Sequence, residues 1–189
     1  MKLDSTYFSK YPLKLVQSTG GGNGISKTVK DSDITIITDC IDTFEPQFYT
    51  DLLGEDLANE LIAAYEASIA TPTPTPLPEK WDTLLNKLFN VTKKQSPVAN
   101  YVYCYILDEI QLHSTRSGVA ISKIDEGEIL SQIGKQVRAW NLMVGKLYSV
   151  YTWLYDNIDL FEHDEVYFNP TMDSYQGIML LKKKNIYGI

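Results

Sequence analysis

From Leu130 to Ile158 the apolar positions fall at Leu130, Ile133, Val137, Trp140, Val144, Leu147, Tyr151, Leu154 and Ile158, in alternating steps of three and four. That spacing is the a/d repeat of a helix lying along another helix. Residues 129–157 therefore read as a rod of about 43 Å, at 1.5 Å per residue. Met143, Val150 and Trp153 widen the stripe. Its natural partner is upstream. Ser96-Pro97 pairs a hydroxyl cap with proline at the first helical position, and the stretch from Val98 to Leu107 is apolar nearly all round. A helix over 96–116, joined to 129–157 by a loop or short hairpin at 119–128, makes an antiparallel pair. The stripe is longer than this partner, so earlier helices or another subunit must cover the surplus.

The first half of the chain carries shorter patterns. Ile34, Ile37, Ile41, Phe44 and Phe48 share one helical face behind the capping residues Ser32 and Asp33, and Pro46 predicts a break near Glu45. Gly54 follows Leu52 and Leu53 as a C-cap, and a second helix runs from about Glu55 to Glu66 with Leu57, Leu61, Ala64 and Tyr65 inward. TPTPTPLP, residues 71–78, reads as a stiff extended spacer rather than a ligand for a proline-binding module. A short helix with Trp81, Leu84, Leu85 and Leu88 on one face comes next. The two ends lack helical period. Residues 1–30 read as an arm with a short strand at Lys14–Val16, and 159–189 as a second arm with β-like pieces. The expected fold is thus mainly α, a helical bundle with a long antiparallel helix pair and extended N- and C-terminal arms with short β pieces. Its divisions are an N-terminal arm 1–30, a helical core 31–158 and a C-terminal arm 159–189.

Composition narrows the function. The chain of 189 residues has 24 acidic and 17 Lys or Arg side chains, net −7, which disfavours tight binding to nucleic acid phosphates. An acidic surface that lets DNA slide past without sticking remains compatible. No apolar run reaches the ~20 residues of a membrane helix, and MKLDSTYFSK has no apolar region of an export leader. Cys40 and Cys104 lie far apart inside helical patterns and read as small core hydrophobes in a reducing compartment. Thirteen tyrosines suit interfaces as well as wet cores.

Candidate chemistry fails on spacing. In GGGNGISKT a phosphate loop would need glycine where Ser26 stands, just before Lys27-Thr28, and a helix starting there rather than at Asp31–Asp33. The run reads as a hinge between arm and core. His113 and His163 are the only histidines and no metal-ligand spacing occurs; Glu162, His163, Asp164 and Glu165 read as a solvated acidic turn. Cys104 lies in the most apolar helix, where a thiolate is disfavoured. Lys182, Lys183 and Lys184 solvate an exposed segment. A hydrolase built on an unobvious carboxylate pair would need a spaced catalytic motif, and none is present. The residues themselves predict no enzyme, no cofactor and no metal.

A resemblance gives the more specific reading. DITIITDCIDTFEPQFYTDLLGEDLANELIAAYE, then a spacer, WDTLLNKLF and a long Tyr/Ala-rich helix, resembles the head–tail connector (adaptor) proteins of tailed bacteriophages. The matching residues are Ser32, Asp33, Ile34, Leu52, Leu53, Gly54, Leu57, Glu60 and Leu61. PVANYVYCYIL and VRAWNLMV, with Arg138, Trp140 and Asn141, look like the variant in phages of Bacteroides-type hosts, including crAss-like phages. The similarity spans about 31–157 and neither arm. It implies a helical protomer assembling as a homo-oligomeric ring, commonly twelvefold, beneath the portal protein. Such a ring contacts portal and tail or neck proteins and surrounds DNA without sequence-specific binding. It also implies a virion location after synthesis in the host cytoplasm, no membrane and no catalytic residues. The residues picked out for contacts between copies or partners are Tyr7, Phe8, Tyr11, Met143, Val150, Trp153, Tyr167, Phe168, Tyr175, Ile178, Leu180 and Tyr187. The alternative is a small intracellular helical adaptor or regulator that binds one protein partner through the long helix.

Overall fold

The computed structural model describes residues 2–9, 11–15, 31–111, 114–115, 118–119 and 126–161. Helix α1 spans Asp31–Leu53, α2 Glu55–Ile69, α3 Glu79–Leu88, α4 Pro97–Gln111 and α5 Glu126–Asp156. The fold is mainly α. A two-residue antiparallel ladder, β1 (Ser114–Thr115) with β2 (Gly118–Val119), lies between α4 and α5. Short 3-10 turns occur at Ser5–Phe8 and Ile158–Phe161.

The apolar character of α4 explains its place in the middle. It packs most extensively against α5 and, on another side, against α1, while α1 also packs on α2. Val98, Ala99, Val102 and Ile106 have no exposed surface. The α4–α5 pair is antiparallel: Asn100 Nδ2 donates to the Ala139 carbonyl at 3.1 Å, and Gln136 Nε2 donates to the Cys104 carbonyl at 3.2 Å. The predicted N-terminus of α4 is present, with Ser96 Oγ accepting from the Val98 N–H at 3.1 Å. Its C-terminus comes earlier than the expected 116, at Gln111.

Two local expectations fail for physical reasons. Helix α1 does not break at Glu45 but runs through Pro46 to Leu53. The carbonyl left without an N–H partner belongs to Asp42, four residues back and exposed, where water can satisfy it. Meanwhile Phe48, Tyr49, Leu52 and Leu53 beyond the proline are buried and hold the last turns in place. No strand forms at Lys14 and Leu15. The residues before them are instead packed on the helical body. Leu3, Tyr7, Phe8 and Leu13 are all buried, so residues 2–9 and 11–15 are seated on the core rather than hanging from it as an arm.

The α1–α2 corner is made by Gly54. Its φ is +83°, its N–H caps α1 through the Thr50 carbonyl at 2.9 Å, and its carbonyl starts α2 through the Ala58 N–H at 3.0 Å. A Cβ there would meet no atom within 4 Å, so only the backbone angle opposes a side chain. Gly54→Ala is therefore expected to cost about 1–2 kcal/mol, read from urea unfolding, with no change in fold by circular dichroism.

Helix α3 turns Trp81, Leu84, Leu85 and Leu88 inward as its spacing predicts. Phe161, from the turn after α5, closes over Trp81 with ring centroids 5.3 Å apart. The core cluster thus joins α1, α2, α3, α4, α5 and the segments at both edges of the described chain.

Candidate functional site

Several buried polar groups of this bundle are bonded to one another, and two of them, Glu45 and Tyr49, also border a small concavity with Lys2, Pro46, Leu61 and Tyr65. Glu45 is fully buried on α1. Its carboxylate accepts from the Lys2 N–H at 3.0 Å, from the Leu3 N–H at 3.3 and 3.4 Å, and from the Tyr49 hydroxyl at 2.8 Å. Burial pushes its carboxyl pKa above the usual range, and those three donors pull against that rise. Tyr101 on α4 donates to Asp51 at 2.9 Å and receives the Tyr105 hydroxyl at 3.3 Å, while Tyr105 stacks on Phe44 at 3.8 Å. Burial first, then Tyr105 and Asp51, raises the Tyr101 phenol far above its ordinary value. The Tyr101–Asp51 bond ties α4 to α1, and the Glu45 set ties the N-terminal segment to α1.

The thiols are similarly inert. Burial pushes Cys40 up to about 11 and Cys104 up to about 12, with carboxylates adding to each. The groups facing Cys104 Sγ are the Asn100 and Gln136 carbonyls, at 3.4 and 3.7 Å, and not a base. In the native chain at pH 8 both cysteines should resist iodoacetamide for hours. In 6 M guanidinium both should react within minutes, counted by intact-mass spectrometry. Rapid labelling of Cys104 in the native state would revive a nucleophilic reading. Among the described residues no group of three or more His, Cys, Asp or Glu side chains could hold a metal ion. The Gly20–Gly24 run, His113, the acidic cluster Glu162–Glu165 and the Lys182–Lys184 run lie outside the described residues.

The surface carries the more informative pattern. Of the residues assigned to contacts between copies, Tyr7, Phe8, Met143 and Val150 are buried within this chain, at 3% exposure or less. Within this chain they are core residues and offer no surface for such contacts. Trp153 is half-buried, with its ring edge-on to Phe161 at 5.8 Å and Lys87 over its face at 5.2 Å. Tyr11 is open to solvent at 76% and receives a hydrogen bond from Arg138 at 3.3 Å. Tyr167, Phe168, Tyr175, Ile178, Leu180 and Tyr187 lie outside the described residues.

The regular stripe on α5 is sheltered by its own chain over its described length. Leu147, Tyr151 and Leu154 are buried, and Val137, Trp140, Val144 and Ile158 are partly covered. Of the two covers expected for this stripe, earlier helices or another subunit, the chain's own α3, α4 and closing turn supply the first over those residues. What stays open is a shoulder beside it. Tyr148 and Tyr155, seven residues apart and so on one helical face, are 76% and 66% exposed, with Leu160 beyond them at 51%. The periodic signal in the sequence located the ridge; it gave no cue that its flank, rather than its crest, would be the wet aromatic face.

The proline run also takes a definite form. Residues 71–76 are all exposed, and the Thr75 N–H turns back to the Ala67 carbonyl at 2.9 Å. Prolines at every second position do not line one face of a helix with three residues per turn, so the run connects α2 to α3 without presenting a proline ridge. Among the described residues no helix is long and apolar enough to cross a membrane.

Comparison with protein-family models, with curated proteins and with solved structures finds no match to the chain.

Proposed function

We propose that the chain is a virion structural protein, a subunit of the head–tail connector or neck ring of a tailed bacteriophage, which joins the portal to the tail and surrounds the DNA channel. The observation that carries this reading is the resemblance of residues 31–157 to connector proteins, centred on Leu52, Leu53, Gly54, Leu57, Glu60 and Leu61. Those residues form the α1–α2 corner, with all four leucines buried around a glycine that no other residue replaces without strain. The net charge of −7 supports a channel wall that repels DNA rather than binding it. On this reading the protein is not an enzyme and needs no cofactor. Copies meet as a ring, twelvefold by the resemblance, through the α5 shoulder bearing Tyr148 and Tyr155. The ring is assembled in the host cytoplasm and ends in the virion.

A second reading is favoured by one observation. The ridge on α5 is covered by the chain's own helices, as expected of a small adaptor that works alone and binds a single partner. Stoichiometry separates the two. Native mass spectrometry and cryo-electron microscopy of the full chain at high concentration should give closed rings on the connector reading. A strict monomer, alone and when mixed with a portal protein, would leave the adaptor.

A further inference from the structure

We infer that residues 2–9 and 11–15 belong to a strap that lifts off the helical body as one unit, with the Glu45 carboxylate as its key. Among the described residues, the strap's main-chain hydrogen bonds run within itself or to that carboxylate. Tyr7 N–H bonds to the Asp4 carbonyl at 3.2 Å, Ser9 N–H to Thr6 at 3.3 Å and Leu15 N–H to Phe8 at 3.1 Å, all local. Only the Lys2 and Leu3 amides reach the body, and both end on Glu45. The remaining ties are side chains: four buried apolar anchors, the Asp4–Lys94 ion pair at 3.3 Å, the same Lys94 ammonium over the Tyr7 ring at 4.8 Å, and the hydrogen bond that Arg138 donates to the Tyr11 hydroxyl at 3.3 Å.

Lifting the strap therefore breaks no helical hydrogen bond. It costs the burial of Leu3, Tyr7, Phe8 and Leu13, the two amide bonds, the Asp4–Lys94 pair and the Arg138–Tyr11 bond, and it lets water reach a carboxylate that is otherwise fully buried. Hydration of Glu45 offsets part of the lost contacts. The strap is then a local unit whose opening lies below global unfolding, and the carboxylate, which belongs to α1, decides how far below. This holds whether the chain works in a ring or alone.

Hydrogen exchange on the full-length chain, followed residue by residue by NMR, tests it. In the wild type the Leu3, Tyr7 and Leu15 amides should share one opening, exchanging at least about tenfold faster than Val102 and Ile106 in α4 once corrected for intrinsic rates. Glu45→Gln turns an acceptor oxygen into an NH2 group facing donors. It should speed the strap amides by a further factor of about ten while Val102 and Ile106 keep their rates. Lys94→Ala removes both the Asp4 ion pair and the ammonium over the Tyr7 ring and should speed the same strap set by about threefold, which preserves a readout if Glu45→Gln fails to fold. The inference is overturned if strap and α4 amides open together in the wild type. It is equally overturned if either variant accelerates both sets by the same factor, since a merely structural contribution to the whole fold would do that.

Discussion

Replacing Trp81 by alanine should lower the unfolding free energy by roughly 3–5 kcal/mol, among the largest losses a single truncation can cause in this chain. Trp81 is fully buried on α3, and it does three things at once. Its ring packs against Phe161, which tethers the turn after α5 to α3. Its Nε1 donates to Glu60 on α2 at 3.2 Å. Lys80 lies over its face at 4.7 Å and bridges to the same Glu60 at 2.8 Å. Truncation opens a cavity between three elements and leaves Glu60 without its indole donor. The ion pair is about a quarter exposed, so solvent screening keeps its share small beside the cavity. Urea unfolding followed by circular dichroism reads the loss as a fall in the midpoint, with little change in slope. Trp81→Phe should recover more than half, because it refills most of the volume while leaving the hydrogen bond unmade. A loss below about 1 kcal/mol for Trp81→Ala would mean that α3 is peripheral to the fold, contrary to its burial.

How far the sequence foretold this arrangement differs from element to element. The inward face of α3 could be read directly, since four large apolar residues at helical spacing have no other way to avoid water. The central position of α4 could also be read, because a helix apolar on every side needs neighbours on every side. Pro46 misled because the rule against internal proline counts a lost hydrogen bond without asking where the orphaned carbonyl points; here it points from exposed Asp42. The N-terminal stretch misled for a different reason. Leu3, Tyr7, Phe8 and Leu13 have neither helical nor strand period, so they resemble an arm in sequence, and only their seat on the body shows them to be core. The key to that seat is Glu45, a lone carboxylate in an amphipathic helix. No local pattern distinguishes a glutamate that will accept two distant main-chain amides from one that faces solvent. The candidate contact surface was the least legible. Periodicity reports which residues avoid water, yet whether they do so inside one chain or between two depends on the shape of the other helices.

That last ambiguity is where charge substitutions on α5 give the sharpest contrast. Met143 and Tyr148 are five residues apart on one helix, and lysine at the two positions should have opposite effects. Met143 has no exposed surface, so Met143→Lys forces an ammonium into the α4–α5 core without a partner, at a cost of roughly 3–5 kcal/mol. The expected result is a chain that unfolds at much lower urea or is recovered insoluble, whatever its oligomeric state. Tyr148 is 76% exposed, and Tyr155 lies on the same face at 66%. Lysine at both should move the stability of the isolated chain by no more than about 1 kcal/mol, since neither ring is buried. If copies join through this shoulder, the double variant brings like charges together and removes two aromatic anchors, so rings should dissociate while the folded chain persists. Native mass spectrometry and urea unfolding on the same preparations read both quantities. A Met143→Lys chain that folds normally but no longer assembles would return Met143 to a subunit interface. A Tyr148→Lys/Tyr155→Lys chain that assembles undisturbed would move the contact off this shoulder and towards other surfaces of the chain.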